Sequence, residues 1–494
     1  MHGLLDAAEA QAPNAPAVRD AHGAWTYREL AAYSRAFARW LSERGVRRGD
    51  RVVLQLPTNR HLVAMFQGAL RCGAVFVPLN PAMKAFHLRH VIGNAEPALV
   101  LGDEASAGIL AEATDRPVQR MDTLWSEVER LREQGAGFTD PDVRPDDVAT
   151  LIYTSGSTAA PKAVICPHAQ VTFATRALTE ALGYREDDVV LCRFPMSWDY
   201  GLYKVLMTCA VRCEVVLAER ESDLTILRRM REVGATVVPL VPSLATMVIT
   251  LAQRERAAQA PVRMFTNTGA ALPQATIDKL REHFPGARVV RQYGQTEAKR
   301  ITVMPPGEDR ERPGSSGLPL PGTQVLILDG DGTPVPAGEV GEIVAVGPHV
   351  MPGYWRNDEN TAKAFRTDPV NGERRLHTGD YGRLDEDGYL YFEGRRDDMF
   401  KRKGFRMSTV EIEAAAMDVP GVRAAAALPP SDTHDLALFV EADLTSGVVR
   451  KELARRLEPA KVPPICRVLT EFPLTQHGKN ARQELALLLK GSTS

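Results

Sequence analysis

Nowhere in the 494 residues does an apolar run approach the length of a membrane span, and the opening MHGLLDAAEAQAPNAPAV lacks the basic stretch and apolar core of a secretory leader. A cytoplasmic protein is the expectation. Cysteine is scarce: Cys72, Cys166, Cys192, Cys209, Cys213 and Cys466 show no paired spacings, which argues against a disulfide framework and fits reduced thiols. Only Cys209 and Cys213 are close, and a CxxxC without a neighbouring His or further Cys reads as two core residues rather than a metal site. An excess of one charge is also missing. Sixty Lys and Arg stand against 62 Asp and Glu, a formal charge of -2, so no global field draws the chain to nucleic acid or an anionic membrane. Internal repeats are absent, and the short polar tail KGSTS is the one low-complexity stretch. Small-molecule chemistry is the default that these absences leave.

What is present is ordinary for a globular chain: 44% hydrophobic and 25% charged residues. The length exceeds what one core sustains and implies two or more domains. Over the first 300 residues, short β-branched runs alternate with amphipathic segments. DRVVLQL leads to HLVAMFQGALRCG and then AVFVPL; CEVVLAE leads to LTILRRMREVG, ATVVPLVP and SLATMVITLAQRE. This alternation predicts βαβ units and a parallel sheet covered on both faces. From about residue 317 the texture changes to apolar strands separated by DG and Pro/Gly turns, as in TQVLILDGDGTPVPAGEVGEIVAVG, which predicts antiparallel structure. A third texture begins near residue 395, where GRRDDMFKRKGFRMSTVEIEAAAMD crowds charge before a helix start. The expected division is therefore 1–396, a large α/β domain with a β-rich subdomain, and 397–494, a small α+β domain.

Chemistry concentrates in IYTSGSTAAPKAV, residues 152–164, between a strand candidate and a helical pattern starting near Val171. Loops that leave a parallel strand are where α/β proteins bind ligands. Here the hydroxyls of Thr154, Ser155, Ser157 and Thr158, backbone amides around Gly156 and the ammonium of Lys162 suit phosphate oxygens. A Walker A loop requires GxxxxGK[ST], and GSTAAPKA departs from it with Pro161 before the lysine and Ala163 after it.

The pattern YTSGSTxxPKxV resembles the phosphate loop of the adenylate-forming superfamily, which includes acyl-CoA synthetases, peptide-synthetase adenylation domains and firefly luciferase. Further stretches follow in the family's order: RQYGQTEAKR, GEIVAVGPHVMPGYWRNDENTAKAF, RLHTGDYGRLDEDGYLYFEGRRDD, KRKGFRMSTVEIE and PLTQHGKNAR. The resemblance implies ATP and magnesium as cofactors. It implies that Tyr293 stacks on adenine, that Thr296 and Glu297 serve phosphate and metal, and that Asp380 and Arg395 hold the ribose. Gly269 of the NTGA stretch is implied to lie against the nucleotide. Lys479 would bridge the substrate carboxylate and the α-phosphate, and Asp397 would be the hinge of a mobile C-terminal domain. The chemistry needs such groups, since a carboxylate must be converted to an acyl adenylate before a thiol can displace it, and that step brings anions together. Two departures stand out: Ala159 and Ala163 occupy positions where the family usually has Gly, and alanine disfavours positive φ.

Substrate class rests on a second set. FPMSWDYGLYKVL occupies the place where amino-acid-activating relatives carry an acidic residue, so Asp199, next to Trp198, resembles the carboxylate that receives a substrate ammonium. The competing role is a helix N-cap. By the same resemblance the third residue after the Glu of YGQTE lines the side-chain pocket. That residue is Arg300, whose guanidinium suits a second carboxylate; Lys299 would assist it or face solvent. Thr268 adds a hydroxyl. Together these residues are similar to those of enzymes of macrolactam polyketide pathways that load β-amino acids such as 3-methylaspartate onto a separate carrier protein. An internal ion pair of Arg300 with a small neutral substrate, an aryl- or acyl-CoA ligase using coenzyme A, and a non-enzymatic nucleotide sensor are the alternatives. No nucleic acid or membrane partner is expected.

Overall fold

The computed structural model describes the chain apart from residues 136–137, 140, 155–160, 220, 256–259, 269–271, 369, 396–398, 403–404, 432–433, 458, 460, 474–480 and 491–494. Two largely parallel sheets form its first part. In the first of these, strands Arg51–Gln55, Val75–Pro78, Leu99–Gly102 and Val118–Arg120 run parallel, joined by helices such as Arg60–Arg71 and Ala85–Ala95. The strands read as continuous Val/Leu/Phe runs because both faces are covered, as the burial of Val52, Val53, Phe76 and Val77 shows. The second has seven strands. Val189–Cys192, Glu214–Leu217, Val237–Leu240, Met264–Asn267 and Arg288–Val290 are parallel within it, and the early strand Pro16–Asp20 joins beside Glu214–Leu217. The alternation of the sequence is thus realised as two βα layers sharing one core, with Tyr27, Trp40, Phe37 and Phe265 among its largest buried side chains.

The change of texture marks an antiparallel sheet of eight strands that runs from Gln292–Tyr293 to Leu390–Arg395. The DG-turn segments pair as Gln324–Leu328 against Gly341–Val346. Strand Arg374–Leu384 lies between Gly341–Val346 and Leu390–Arg395, with Asp380 directly opposite Arg395.

Beyond residue 405 the chain builds a small α+β layer. Val422–Leu428 pairs antiparallel with Ala437–Ala442, which pairs parallel with Ile465–Leu469. Successive side chains alternate across this sheet. Ala425, Ala427, Leu438 and Val440 pack on helices Thr409–Met417 and Ser446–Leu453, while Ala426, Leu428 and Phe439 pack with Leu485 of helix Arg482–Lys490. Cys209 and Cys213 are both buried, as a core reading of CxxxC requires.

One local expectation needs correction. The hydroxyl-rich loop does not lead from a strand into a helix. Val148–Thr154 pairs antiparallel with Lys162–Pro167, with Thr154 opposite Lys162, so residues 155–161 join two paired strands. Helix His168–Leu182 follows immediately.

Candidate active site

Three stretches of sequence converge beyond the C-terminal ends of the seven-stranded sheet, the usual ligand position in an α/β layer. The first follows Val189–Cys192. Residues Phe194–Trp198 turn sharply into helix Asp199–Val211, and a Cβ at Gly201 would stand 2.3 Å from the Pro195 carbonyl oxygen. Only glycine admits that approach. Trp198 is the N-cap residue and makes no side-chain cap bond, so Asp199 occupies the first helical position and is not the cap. There its charge still suits the positive end of the helix dipole.

The second stretch is the turn from Tyr293 to Ile301. Ile301 N–H donates to the Tyr293 carbonyl at 2.9 Å and Ala298 N–H to that of Gln295 at 3.0 Å. The chain folds back so closely that a Cβ on Gly294 would lie 2.6 Å from the Lys299 carbonyl oxygen. Lys299 itself has φ of +57°, a left-handed conformation costing a non-glycine residue roughly 1–2 kcal/mol. That geometry turns Lys299 and Arg300 inward. Lys299 Nζ donates to Asp199 Oδ2 at 2.9 Å. The lysine side chain is 2% exposed and the aspartate 20%, so the carboxylate is the partner that a ligand can reach. Lys299 therefore does not face solvent. Burial would push the Asp199 carboxyl up, but Lys299 and then Arg300 hold it below the usual carboxylate range. Burial likewise brings Lys299 down to about 7, against the attraction of Asp199.

Arg300 is 3% exposed. Its Nε donates to Gln292 Oε1 at 2.9 Å and its Nη1 to the Lys299 carbonyl at 3.0 Å. Nη2 has no hydrogen-bond partner, and among the described residues no carboxylate pairs with the guanidinium. The internal ion pair weighed from sequence is thus not found. Tyr203, whose ring lies 4.3 Å from Lys299 Nζ, also carries a buried hydroxyl without a partner. Buried polar groups are ordinarily satisfied, so these two are open to a polar ligand. Thr268 follows strand Met264–Asn267, with its amide on the Leu240 carbonyl at 3.3 Å.

The third stretch gathers the expected nucleotide residues. Tyr293 Oη donates to Asp380 Oδ2 at 2.7 Å, and Arg395 Nε stands 3.3 Å from Asp380 Oδ1. Cross-strand pairing of 380 with 395 produces this group. Gln295 Nε2 donates to the Thr378 carbonyl at 3.2 Å, which ties the YGQTE turn to the TGD strand.

Glu297 is buried, and burial raises its carboxyl above the ordinary range while the Tyr354 hydroxyl, donating to Oε1 at 2.7 Å, opposes that rise. Lys162 Nζ donates to Asn360 Oδ1 at 2.9 Å and lies 5.6 Å from the Tyr354 ring. Tyr354 and Asn360 were assigned no role from sequence, although both lie in the quoted GPHVMPGYWRNDENTAKAF block. A tyrosine and an asparagine there signal hydrogen bonding only once the partners are known.

Glu297 places one buried carboxylate at this turn, and no cluster of three metal-ligating side chains occurs among the described residues. One carboxylate oxygen fits magnesium, which typically takes one or two protein carboxylates and completes its shell with phosphates and water. Ser155, Gly156, Ser157, Thr158, Gly269, Asp397 and Lys479 lie outside the described residues. Thr154, at the loop's edge, donates to the Lys162 carbonyl at 3.4 Å. At the end of the PLTQHGKNAR motif, Arg482 Nη2 pairs with Glu413 Oε1 at 2.9 Å and contacts Thr409 Oγ1 at 3.2 Å.

Comparison with known proteins gives a consistent answer. Residues 5–355 match the family model described as AMP-binding enzyme. The probable non-canonical nonribosomal peptide synthetase CymA of Salinispora arenicola is 32% identical over 98% of this chain, which spans 6% of CymA's length. The phosphinothricin tripeptide synthetase PhsC of Streptomyces viridochromogenes is also 32% identical over 98% of the chain, which spans 45% of it. Among solved structures, VinN is 56% identical with a TM-score of 0.76, the match covering 80% of this chain and 98% of VinN. ATP-bound MatB from Rhodopseudomonas palustris is 28% identical with a TM-score of 0.87, covering 99% of each chain. With the YGQTE and TGD elements arranged as described, the chain belongs to the family of AMP-binding enzymes and is an adenylate-forming ligase.

Proposed function

We propose that this enzyme activates an amino dicarboxylic acid of the aspartate or 3-methylaspartate class and passes it to the thiol of a separate carrier protein. The observation that carries the reading is Arg300, a buried guanidinium with an unpartnered Nη2, beside the reachable carboxylate of Asp199. A buried cation of this kind is compensated by an anion, and a ligand carboxylate supplies one with matching planar geometry. The substrate ammonium goes to Asp199. VinN, which has been solved with L-aspartate at 54% identity and with 3-methylaspartate at 51%, supports the same class.

In the reaction, one substrate carboxylate oxygen attacks the α-phosphorus of ATP, the bond to the β-phosphate oxygen breaks, and pyrophosphate leaves. Tyr293, Asp380 and Arg395 hold the nucleoside. Lys162 and the hydroxyl loop hold phosphate oxygens, and Lys479 neutralises the carboxylate and α-phosphate as they meet. Glu297 would hold magnesium, which when bound would supply charge neutralisation at the phosphates. Residues 397–494 then rotate about Asp397 so that the carrier's thiol reaches the adenylate.

Pyrophosphate exchange across a panel of amino, aryl and fatty acids tests the reading. Exchange greatest with aspartate or 3-methylaspartate is expected. Exchange with aryl or fatty acids, and none with any amino dicarboxylate, overturns it. Transfer of the adenylate to coenzyme A but to no carrier protein would overturn the acceptor alone.

A further inference from the structure

A charged residue stands in the middle of the otherwise apolar helical run YGLYKVLMTCA. Lys204 is 2% exposed, yet no carboxylate pairs with it among the described residues. Its one hydrogen bond goes to the Tyr184 hydroxyl at 3.3 Å. Its ammonium lies 4.7 Å from the centre of the Tyr200 ring and 5.7 Å from that of Tyr184. An isolated buried ammonium is costly, and two aromatic faces offset only part of that cost.

The same Tyr200 ring has two other cations close to its centre: Arg300 at 5.2 Å and Lys299 at 5.5 Å. Three cations therefore surround one aromatic side chain, and among the described residues Asp199 is the single carboxylate paired within the group. The ring is held by its hydroxyl, which bonds the Thr266 carbonyl at 3.0 Å and the Thr266 hydroxyl at 2.8 Å. Helix Asp199–Val211 and strand Met264–Asn267, which lead to the two sides of the pocket, are thereby tied together.

We propose that Lys204 is a specificity-determining positioning residue: from behind Tyr200 it adds a third positive charge to the pocket, so that a substrate of net negative charge is favoured over a neutral amino acid. This deepens the reading given under Proposed function and rests on it. Lys204 does not touch the substrate. It acts through the Tyr200 ring and through the field that Lys299 and Arg300 already set.

The groups facing Lys204 are Tyr184 from the segment after helix His168–Leu182, Cys192 from its strand, Tyr200 and Asp199 from its own helix, and Lys299 and Arg300 from the turn. Burial, then Lys299 and Arg300, bring its ammonium down to about 7. A second carboxylate arriving in the pocket favours the charged form, so binding should take up protons near and above neutrality.

The test compares L-aspartate with L-alanine in pyrophosphate exchange for the wild type, Lys204→Met and Lys204→Gln. Loss of the charge should lower the preference for aspartate at least tenfold, mainly through KM for aspartate. A merely structural role would impair both substrates alike and leave their ratio unchanged, and that outcome overturns the proposal. A wild type without preference for aspartate sinks the substrate reading itself, whereas preference retained in both variants sinks the role of Lys204 alone. Should neither variant melt cooperatively, Lys204→Arg, which keeps the positive charge, decides: a preference for aspartate within a few-fold of the wild type supports the proposal, and a preference lost although the charge is kept overturns it.

Discussion

Lys299 Nζ lies 2.9 Å from Asp199 Oδ2, so the carboxylate assigned to the substrate's ammonium is already held by an ammonium of the chain. The two residues come from different elements and are fixed by a left-handed backbone at 299 and a tight helix start at 199. On the proposed reading, a substrate amine shares Asp199 with this lysine.

Removing Lys299 should therefore act twice. Lys299→Met leaves Asp199 without its partner, and the loss of a charged hydrogen bond at a site this buried should cost on the order of 2–3 kcal/mol of stability, read as a fall in melting temperature. The KM for aspartate should rise as well, since a pocket cation is gone. A variant as stable as the wild type would mean that the pair contributes nothing net.

Arg300→Leu should separate the two halves of the substrate. Leaving a substrate carboxylate unpaired in the pocket costs about 3–5 kcal/mol, or roughly two to four decades in kcat/KM for aspartate. Apolar amino acids should be tolerated better than by the wild type, because the guanidinium they cannot satisfy has been removed. Unchanged preference in pyrophosphate exchange would reject the assignment.

Tyr354→Phe tests the support of Glu297. The hydroxyl at 2.7 Å lowers the carboxyl's proton affinity against the rise caused by burial. Without it the carboxyl should hold its proton to higher pH, and only the ionised form binds a metal. The acid limb of the pH profile for adenylation should move upward, with activity at high pH less affected. An acid limb in its original place would show that Tyr354 does not tune Glu297.

Lys479→Ala should abolish adenylate formation by orders of magnitude, each decade being about 1.4 kcal/mol of barrier, and leave thiol transfer from supplied adenylate much less affected. Exchange within a few-fold of the wild type would remove the role given to this lysine.

The parallel and antiparallel layers were legible because strand periodicity and turn residues are local properties, and Tyr293, Asp380 and Arg395 were legible as a set because their motifs occur in a fixed order. The hairpin around the phosphate loop was not. Strand Lys162–Pro167 is a short run behind a proline, and its pairing with Val148–Thr154 is a register that no local pattern states. The Lys299–Asp199 pair was hidden for a related reason. The sequence places Asp199 at the substrate and leaves Lys299 to assist or to face solvent, and only the left-handed turn at 299 brings one onto the other. Lys204 gave a signal, a lysine inside an apolar run, but without the fold nothing says whether such a residue reaches solvent.

The turn from Tyr293 to Ile301 closes on itself through backbone bonds and carries both kinds of residue, those proposed for the nucleotide site at 293 and 297 and the two cations proposed to select the substrate at 299 and 300. Exchange of this nine-residue segment between relatives would consequently transplant substrate choice as a cassette with the adenylating machinery included. Its success would depend less on side chains than on whether the recipient helix after residue 198 offers a carboxylate for the incoming lysine. Where it does not, the graft brings in a buried cation with no counter-charge. Divergence of substrate choice would then have to proceed by paired change at 199 and 299, and single steps at either position would pass through a less stable enzyme.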